Sequence, residues 1–179
     1  DAMDISVGGA FTVSGSLEGA GSVNLTAGGA VTQKDDGRFV SIGTMTLSSV
    51  GGQLLLGDNN VAALETDNRG GGAVKFNNAY DGLTLRGVRQ HDGGGIEVTN
   101  DGALSISGET WTTSDDIIIT NDGDVVMSEV VRTTGQVTVD AKGALTQIGD
   151  GRIEDAAKVT ALTVGGQLLT GDNTVHVIV

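Results

Sequence analysis

The chain has 179 residues, a formal net charge of −13 at pH 7, no proline and no cysteine. Disulfides and thiolate metal sites are therefore excluded. The acidic charge argues against nucleic acid or an anionic membrane as partner, and no apolar run approaches the roughly 18 residues of a spanning helix. Thirty glycines and few aromatic residues, beside abundant Val, Leu, Ile and Thr, favour strands over helices.

Short segments with alternating apolar residues recur along the chain at nearly constant spacing. The first members of one series are 22, 29, 22, 21, 20 and 22 residues apart. That series is Val23/Leu25, Met45/Leu47, Val74/Phe76, Ile96/Val98, Ile117/Ile119, Val137/Val139 and Val159/Ala161. A second series follows it: Val31/Gln33, Leu54/Leu56, Leu83/Leu85, Leu104/Ile106, Val125/Met127, Leu145/Gln147 and Leu168/Thr170. A weaker third falls near Phe39, Val61, Val88, Trp111, Val130, Ile153 and Val175.

Three short strands in every coil of about 20–22 residues are typical of a parallel β-helix, an all-β solenoid. The length then allows about seven to eight coils, with the first members of the first series stacked in one buried column. Glycine and Asn-Asp-Gly segments between the strands indicate the corners. The 29-residue step contains the polar residues 65–72, for which we predict a loop insertion.

The chain also contains a long internal repeat. Residues 21–64 match residues 135–178 without a gap at an offset of 114, with 21 of 44 positions identical. We therefore predict that residues 1–179 are one β-helix segment of a longer array. Gln33 and Gln147 should occupy equivalent environments, and the apolar end 175–179 should stack end to end with another copy or continue into further coils.

The segments GSVNLTAGGAVTQ (21–33), GTMTLSSVGGQLLLG (43–57) and GQVTVDAKGALTQ (135–147) resemble the haemagglutinin-type repeats of filamentous haemagglutinin and related large bacterial exoproteins. The resemblance implies a right-handed β-helical shaft, secreted by a two-partner or autotransporter-like route and displayed at the cell surface. Its role would be structural or adhesive, without catalysis. The implied partners are further repeats of the same chain and a host or cell-surface glycan or protein.

The alternative is a β-helical polysaccharide-degrading enzyme or a glycan-binding module. A glycosidase needs two carboxylates that flank a cleft. The best candidates are Asp115 with Asp116, and Asp122 with Asp124, although turn capping explains these residues more simply. Arg86, Arg89 and His91 gather near one corner without a carboxylate pair at coil spacing, so we predict no catalytic residue.

We predict no cofactor and no metal, with calcium as the alternative. Aspartate and asparagine recur at one corner of both copies, and such oxygen ligands suit Ca²⁺. These candidates are Asp58, Asn59, Asp172 and Asn173. A lateral interaction stripe is a further hypothesis, because exposed apolar patches mark contact surfaces. It would consist of the outward residues Leu55, Val126 and Leu169.

Overall fold

The computed structural model describes residues 1–19 and 21–176 and shows a solenoid of strands that pair in parallel. The prediction of an all-β parallel β-helix is confirmed. None of the described residues forms a helix, and thus none forms a helix that could cross a membrane. The strands are β1 (Ala2–Val7), β2 (Phe11–Val13), β3 (Ser16–Glu18), β4 (Ser22–Ala27), β5 (Val31–Gln33), β6 (Arg38–Val40), β7 (Ile42–Ser49), β8 (Gln53–Asn59), β9 (Val61–Asn68), β10 (Val74–Asn78), β11 (Leu83–Gln90), β12 (Ile96–Asn100), β13 (Leu104–Ile106), β14 (Thr110–Thr112), β15 (Ile117–Asn121), β16 (Val125–Met127), β17 (Val130–Arg132), β18 (Gln136–Ala141), β19 (Leu145–Gln147), β20 (Arg152–Glu154), β21 (Lys158–Thr163) and β22 (Gln167–Leu168).

The strands form three faces along the solenoid axis. Face 1 contains β2, β5, β8, β10, β12, β15, β18 and β21, one strand from each of about eight turns. Face 2 contains β1, β4, β7, β9, β11, β13, β16, β19 and β22. Face 3 contains β14, β17 and β20 in the second half of the chain, whereas β3 and β6 form a separate two-stranded sheet in the first half.

The number of strands in a turn changes along the axis. The turns β7–β8, β9–β10 and β11–β12 have two strands each, whereas the turns before and after them have the predicted three. The return to three strands occurs within β11, whose first half pairs with β13 and whose second half pairs with β14. Gly87 lies at the bend, beside a register shift and with φ of 144°, a conformation that side chains disfavour. Strand β11 therefore bends at Gly87, and its second half pairs with the first strand of face 3, β14.

The predicted buried column is wrong at one link. All seven of its members are buried, but Met45 pairs with Leu64 of β9, and Val74 pairs with Gln53 of β8. The column therefore consists of two pieces, one on face 2 and one on face 1. The 29-residue step between Met45 and Val74 contains an additional strand of face 2, β9, so these two residues do not belong to the same column.

That additional strand also corrects the predicted loop. Residues 65–68 belong to β9, and only the residues after Asn68 form a turn. Thr66 and Asn68 are buried. The Thr66 hydroxyl donates to the Gln53 side chain, and Asn68 Nδ2 donates to Gln90 Oε1 at 2.6 Å. These polar residues tolerate the interior because their partners lie in the neighbouring turns.

The two copies of the internal repeat place their equivalent strands on different faces. Strand β4 lies on face 2, but its equivalent β18 lies on face 1; β5 lies on face 1 and its equivalent β19 on face 2. On face 1, β5 is followed by β8, β10, β12, β15 and β18, and the next strand of the chain is its equivalent β19 on face 2. An offset of 114 residues therefore corresponds to five turns plus one face, and equivalent residues point in different directions around the axis.

The backbone at the corners of the two copies is nevertheless the same. Asp35 has φ of 55° and its equivalent Gly149 has 58°, whereas Ser41 and its equivalent Asp155 have 56° and 60°. Non-glycine residues adopt such left-handed conformations only where the surroundings enforce them. The corner geometry thus belongs to the repeated sequence and does not depend on which face the copy occupies.

The predicted apolar end at residues 175–179 lies largely outside the described residues, because these stop at His176. Val175 forms a parallel bridge with Ala156.

Candidate functional site

A glutamine and an asparagine close one corner of the first copy. Gln33 Nε2 donates to Asn59 Oδ1 at 2.6 Å, and the Gly57 N–H donates to Gln33 Oε1 at 2.8 Å. Asn59 Oδ1 also accepts the Phe39 N–H at 2.9 Å. The two amides satisfy each other and the backbone of the turn, as buried polar groups require.

The second copy reproduces these three hydrogen bonds. Gln147 Nε2 donates to Asn173 Oδ1 at 2.7 Å, and the Gly171 N–H donates to Gln147 Oε1 at 2.9 Å. Asn173 Oδ1 accepts the Ile153 N–H at 2.8 Å. The two glutamines therefore occupy equivalent environments, as predicted.

These bonds occupy the side-chain oxygens of two of the four calcium candidates. The amide oxygens of Asn59 and Asn173 each accept two hydrogen bonds, and Asp58 Oδ1 is 3.4 Å from Asn77 Nδ2. Calcium takes about six to eight oxygen ligands. Within residues 1–19 and 21–176, no three His, Cys, Asp or Glu side chains are grouped so that they could hold a metal ion.

We expect millimolar Ca²⁺ to leave the melting temperature unchanged within about 1 °C, because an ion that does not bind the native state cannot stabilise it. Scanning calorimetry with calcium and with EDTA measures this on the wild type and on Asp58→Asn/Asp172→Asn. The control is Asp101→Asn/Asp140→Asn, which removes the same charge elsewhere. A calcium-dependent rise of several degrees that only the first variant loses would contradict the expectation.

The carboxylates considered for glycoside hydrolysis serve the corners at the two ends of β15. The Asp115 carboxylate accepts the Gly94 N–H, and Asp116 Oδ1 accepts the Gln136 N–H at 2.8 Å. At the other end, Asp124 Oδ1 accepts the Ala144 N–H at 2.8 Å. Five strand residues at about 3.3 Å each separate the two corners by roughly 16 Å. Glycosidases hold their carboxyl groups about 5–10 Å apart, so the two corners do not form such a pair.

The fourth acidic candidate is engaged in an ion pair. Asp122 Oδ1 is 2.7 Å from Lys142 Nζ, and this hydrogen bond raises the pKa of Lys142. Both side chains are largely exposed, so the pair contributes little to stability.

The hypothesis of an apolar interaction stripe is wrong for Leu55. Leu55 lies in the core, whereas its neighbours Leu54 and Leu56 are exposed. Val126 is half-buried on β16 of face 2, and Leu169 is half-buried and packs against the core. The three residues do not form one surface.

Gln53 sets the register that places Leu55 inside. Its side chain lies in the interior, where its Nε2 donates to Ser49 Oγ at 3.0 Å and its Oε1 accepts from Thr66. An inward glutamine at the start of β8 turns every second residue after it inward. In the second copy Leu168 is likewise exposed and Leu169 packs against the core, although Gln167, the equivalent of Gln53, is exposed.

The most distinctive outer feature is a ladder that runs from the second halves of β9 and β11 onto face 3, in which one residue of each turn lies beside the next. Its members, in order along the axis, are Asp67, Arg89, Trp111, Arg132 and Glu154. Trp111 is the one tryptophan of the chain. The sequence pattern counted it among the apolar strand positions, but Thr110 and Thr112 on either side are the buried residues of β14. The missed signal is the Thr-Trp-Thr alternation, which places the ring outward if the threonines point inward.

Trp111 contacts residues of both adjacent turns. The His91 ring lies edge-on, with its centroid 4.8 Å from that of Trp111 and an interplanar angle of 68°. On the other side, Arg132 Cζ is 6.0 Å from the Trp111 centroid, a cation–π distance. A cleft of about 190 Å³ opens beside the ring, between Arg132, the threonine pair Thr113 and Thr134, and Asp155.

Most charges near the ladder are paired. Asp67 lies 2.9 Å from Arg69 Nε and 2.7 Å from His91 Nε2, and Arg89 Nη1 is 3.3 Å from Glu65 Oε1. His91 and Arg89 thus have structural partners, while Arg86 points to solvent.

The carboxylate of Glu154, at the end of the ladder, is 2.6 Å from Arg152 Nε, which raises the pKa of Arg152. By contrast, no carboxylate in the described part of the chain forms an ion pair with Arg132. The guanidinium of Arg132 is therefore available to a bound molecule.

Comparison with known proteins gives no match: no family model, no curated protein and no solved structure matches this chain.

Proposed function

We propose that this chain is a shaft segment of a large secreted bacterial surface fibre, with a structural and adhesive role and no catalysis. In this proposal its lateral partner is a glycan or protein of another surface, and its axial partners are further repeats of the same chain. The haemagglutinin-type segments 21–33 and 135–147 supply the argument for secretion and for display at the cell surface.

One observation carries the proposal: the repeated Gln–Asn corner. The same hydrogen bonds close the turn at Gln33 and Asn59 on one face and at Gln147 and Asn173 on the next. The unit forms the same internal contacts on either face. Because each turn of a solenoid contacts only its neighbours, further copies of such a unit can be added without changes in its sequence. This is the property that a shaft of variable length requires.

The position of the acidic residues supports a role without catalysis. Asp115, Asp116 and Asp124 accept backbone N–H groups of neighbouring turns, so they stabilise the corners. Their carboxylate oxygens are thus engaged with the backbone of the corners and do not converge on a common substrate position.

An extended chain tests the proposal. Residues 1–176 followed by residues 63–179 insert one more 114-residue unit at its natural register. At about 4.8 Å for each turn, five turns plus one face should lengthen the rod by roughly 26 Å. Small-angle scattering measures the maximum dimension, and circular dichroism checks that the added unit forms strands. A chain that gains mass without gaining length would contradict the shaft.

The enzyme alternative is examined on the same protein. Neutral and acidic polysaccharides are incubated with the wild type and with Asp116→Asn/Asp124→Asn, and new reducing ends are counted. We expect none above the rate without protein. If the wild type releases reducing ends and the double variant does not, the chain is a polysaccharide-degrading enzyme and the shaft proposal is wrong.

A further inference from the structure

We propose that the cleft beside Trp111 binds a neutral pyranose residue of a glycan or polysaccharide. This inference rests on the proposed adhesive function and names the chemical class that its lateral partner would present. It depends on the geometry of three side chains from three successive turns: Trp111, Arg132 and Asp155.

The Trp111 ring provides the apolar platform. It points outward from β14, while the threonines on either side enter the core, so burial of the ring is not what holds this strand in place. The face of an indole carries negative charge density, and the C–H bonds on one side of a pyranose ring are apolar and weakly positive. The accessible part of the half-buried Trp111 ring can therefore stack on the apolar side of a sugar.

Arg132 covers one side of this platform in the absence of a ligand. Its Cζ atom lies over the ring, 6.0 Å from the centroid, so a sugar that stacks there must displace the guanidinium. The side chain is exposed, so it can move along the cleft edge without disturbing the core. Its guanidinium offers several N–H donors in one plane.

Asp155 provides the matching acceptor. Its backbone adopts φ of 60°, and its N–H donates to Thr174 Oγ1 at 3.1 Å, so the position of the residue is held before any ligand arrives. A sugar hydroxyl both donates and accepts, so neighbouring hydroxyls are best bound by a donor and an acceptor together. Arg132 and Asp155 supply that pair at the edge of the cleft.

The charges of the cleft favour a neutral sugar over an acidic one. Arg132 and Asp155 cancel each other, and the chain as a whole carries −13. An acidic sugar would gain from Arg132 but would be repelled by Asp155 and by the overall field.

The single tryptophan makes the test direct. Trp emission of the complete 179-residue chain is recorded during titration with cello-, manno- and galacto-oligosaccharides, with oligogalacturonate as the acidic comparator. We expect a saturable change with at least one neutral series. Arg132→Ala and Asp155→Asn should each weaken binding at least about tenfold, since a hydrogen bond to a charged group is worth about 1.5–3 kcal/mol.

Two further variants complete the design. Arg86→Ala is the matched control, because Arg86 is an exposed arginine outside the cleft, and its affinity should equal that of the wild type. Trp111→Ala, followed by calorimetry and with its fold checked by circular dichroism, should abolish binding.

Three results would overturn the inference: no neutral series binds, binding survives Trp111→Ala, or only oligogalacturonate binds and Asp155→Asn strengthens it. Each of these results can be distinguished from a failure of the shaft proposal. A rod that lengthens in the extended chain but binds no sugar leaves the shaft standing, whereas sugar binding without lengthening refutes the shaft alone.

Discussion

Replacing Leu55 with lysine should destabilise the solenoid by at least about 5 kcal/mol, because it removes a buried side chain and introduces a charge without a partner. Leu55 is 1 % exposed and belongs to the core. A loss of this size is comparable to the whole stability of many domains. We expect the variant to be unfolded around β8 or to be insoluble.

The chain offers a matched control one strand position away. Leu56 is 57 % exposed, so Leu56→Lys should change the free energy of unfolding by no more than about 0.5 kcal/mol. Leu54 is a poorer control because Lys75 lies directly opposite it and would repel a second lysine. Urea titration monitored by circular dichroism compares the variants. If Leu56→Lys were the damaging change, the phase of β8 would be reversed.

Replacing Asn100 with leucine should cost about 3–6 kcal/mol, although the side chains are similar in size. Asn100 is the middle member of a buried asparagine ladder: it accepts from Asn78 Nδ2 at 2.9 Å and donates to Asn121 Oδ1 at 2.8 Å. Leucine would leave both neighbours without that partner in the interior. Each buried polar group that loses its bond costs about 1–3 kcal/mol.

The ladder supplies its own comparison. Asn121 is the last member, since Ala141 follows it in the next turn, and it accepts from Asn100 and donates to the Asp124 carbonyl. Asn121→Leu should therefore cost less than Asn100→Leu. Thr99→Val, on the outward side of the same strand, should remain within about 0.5 kcal/mol of the wild type. Equal losses for Asn100→Leu and Thr99→Val would contradict the ladder.

The asparagine variants probe polar residues that the strand pattern could not place. Asn78, Asn100 and Asn121 end their strands beside predicted corners, where an exposed turn is the simpler interpretation. Their bonds join residues 21 or 22 positions apart, one turn of the solenoid. Such partners are found only when the turns are stacked.

The sequence by itself determined the solenoid. Alternation with a spacing close to one turn requires strands, and a spacing kept constant over so many turns requires that they stack in parallel. The 21 identities between residues 21–64 and 135–178 likewise predicted that Gln33 and Gln147 share one environment. Both inferences depend on local regularity, which the order of residues records directly.

Only the tertiary structure decided the phase of the strands and the direction of the faces. Alternation leaves two choices of inward side, and in β8 and β14 the correct one places Gln53, Thr110 and Thr112 inside while Leu54, Leu56 and Trp111 face out. An apolar residue indicates the core only if the polar residues beside it find no buried partner. Gln53 and Thr112 find such partners in neighbouring turns, the Thr66 hydroxyl and the Gly94 carbonyl. The stacking of turns, and not the alternation within a strand, therefore placed Trp111 on the surface.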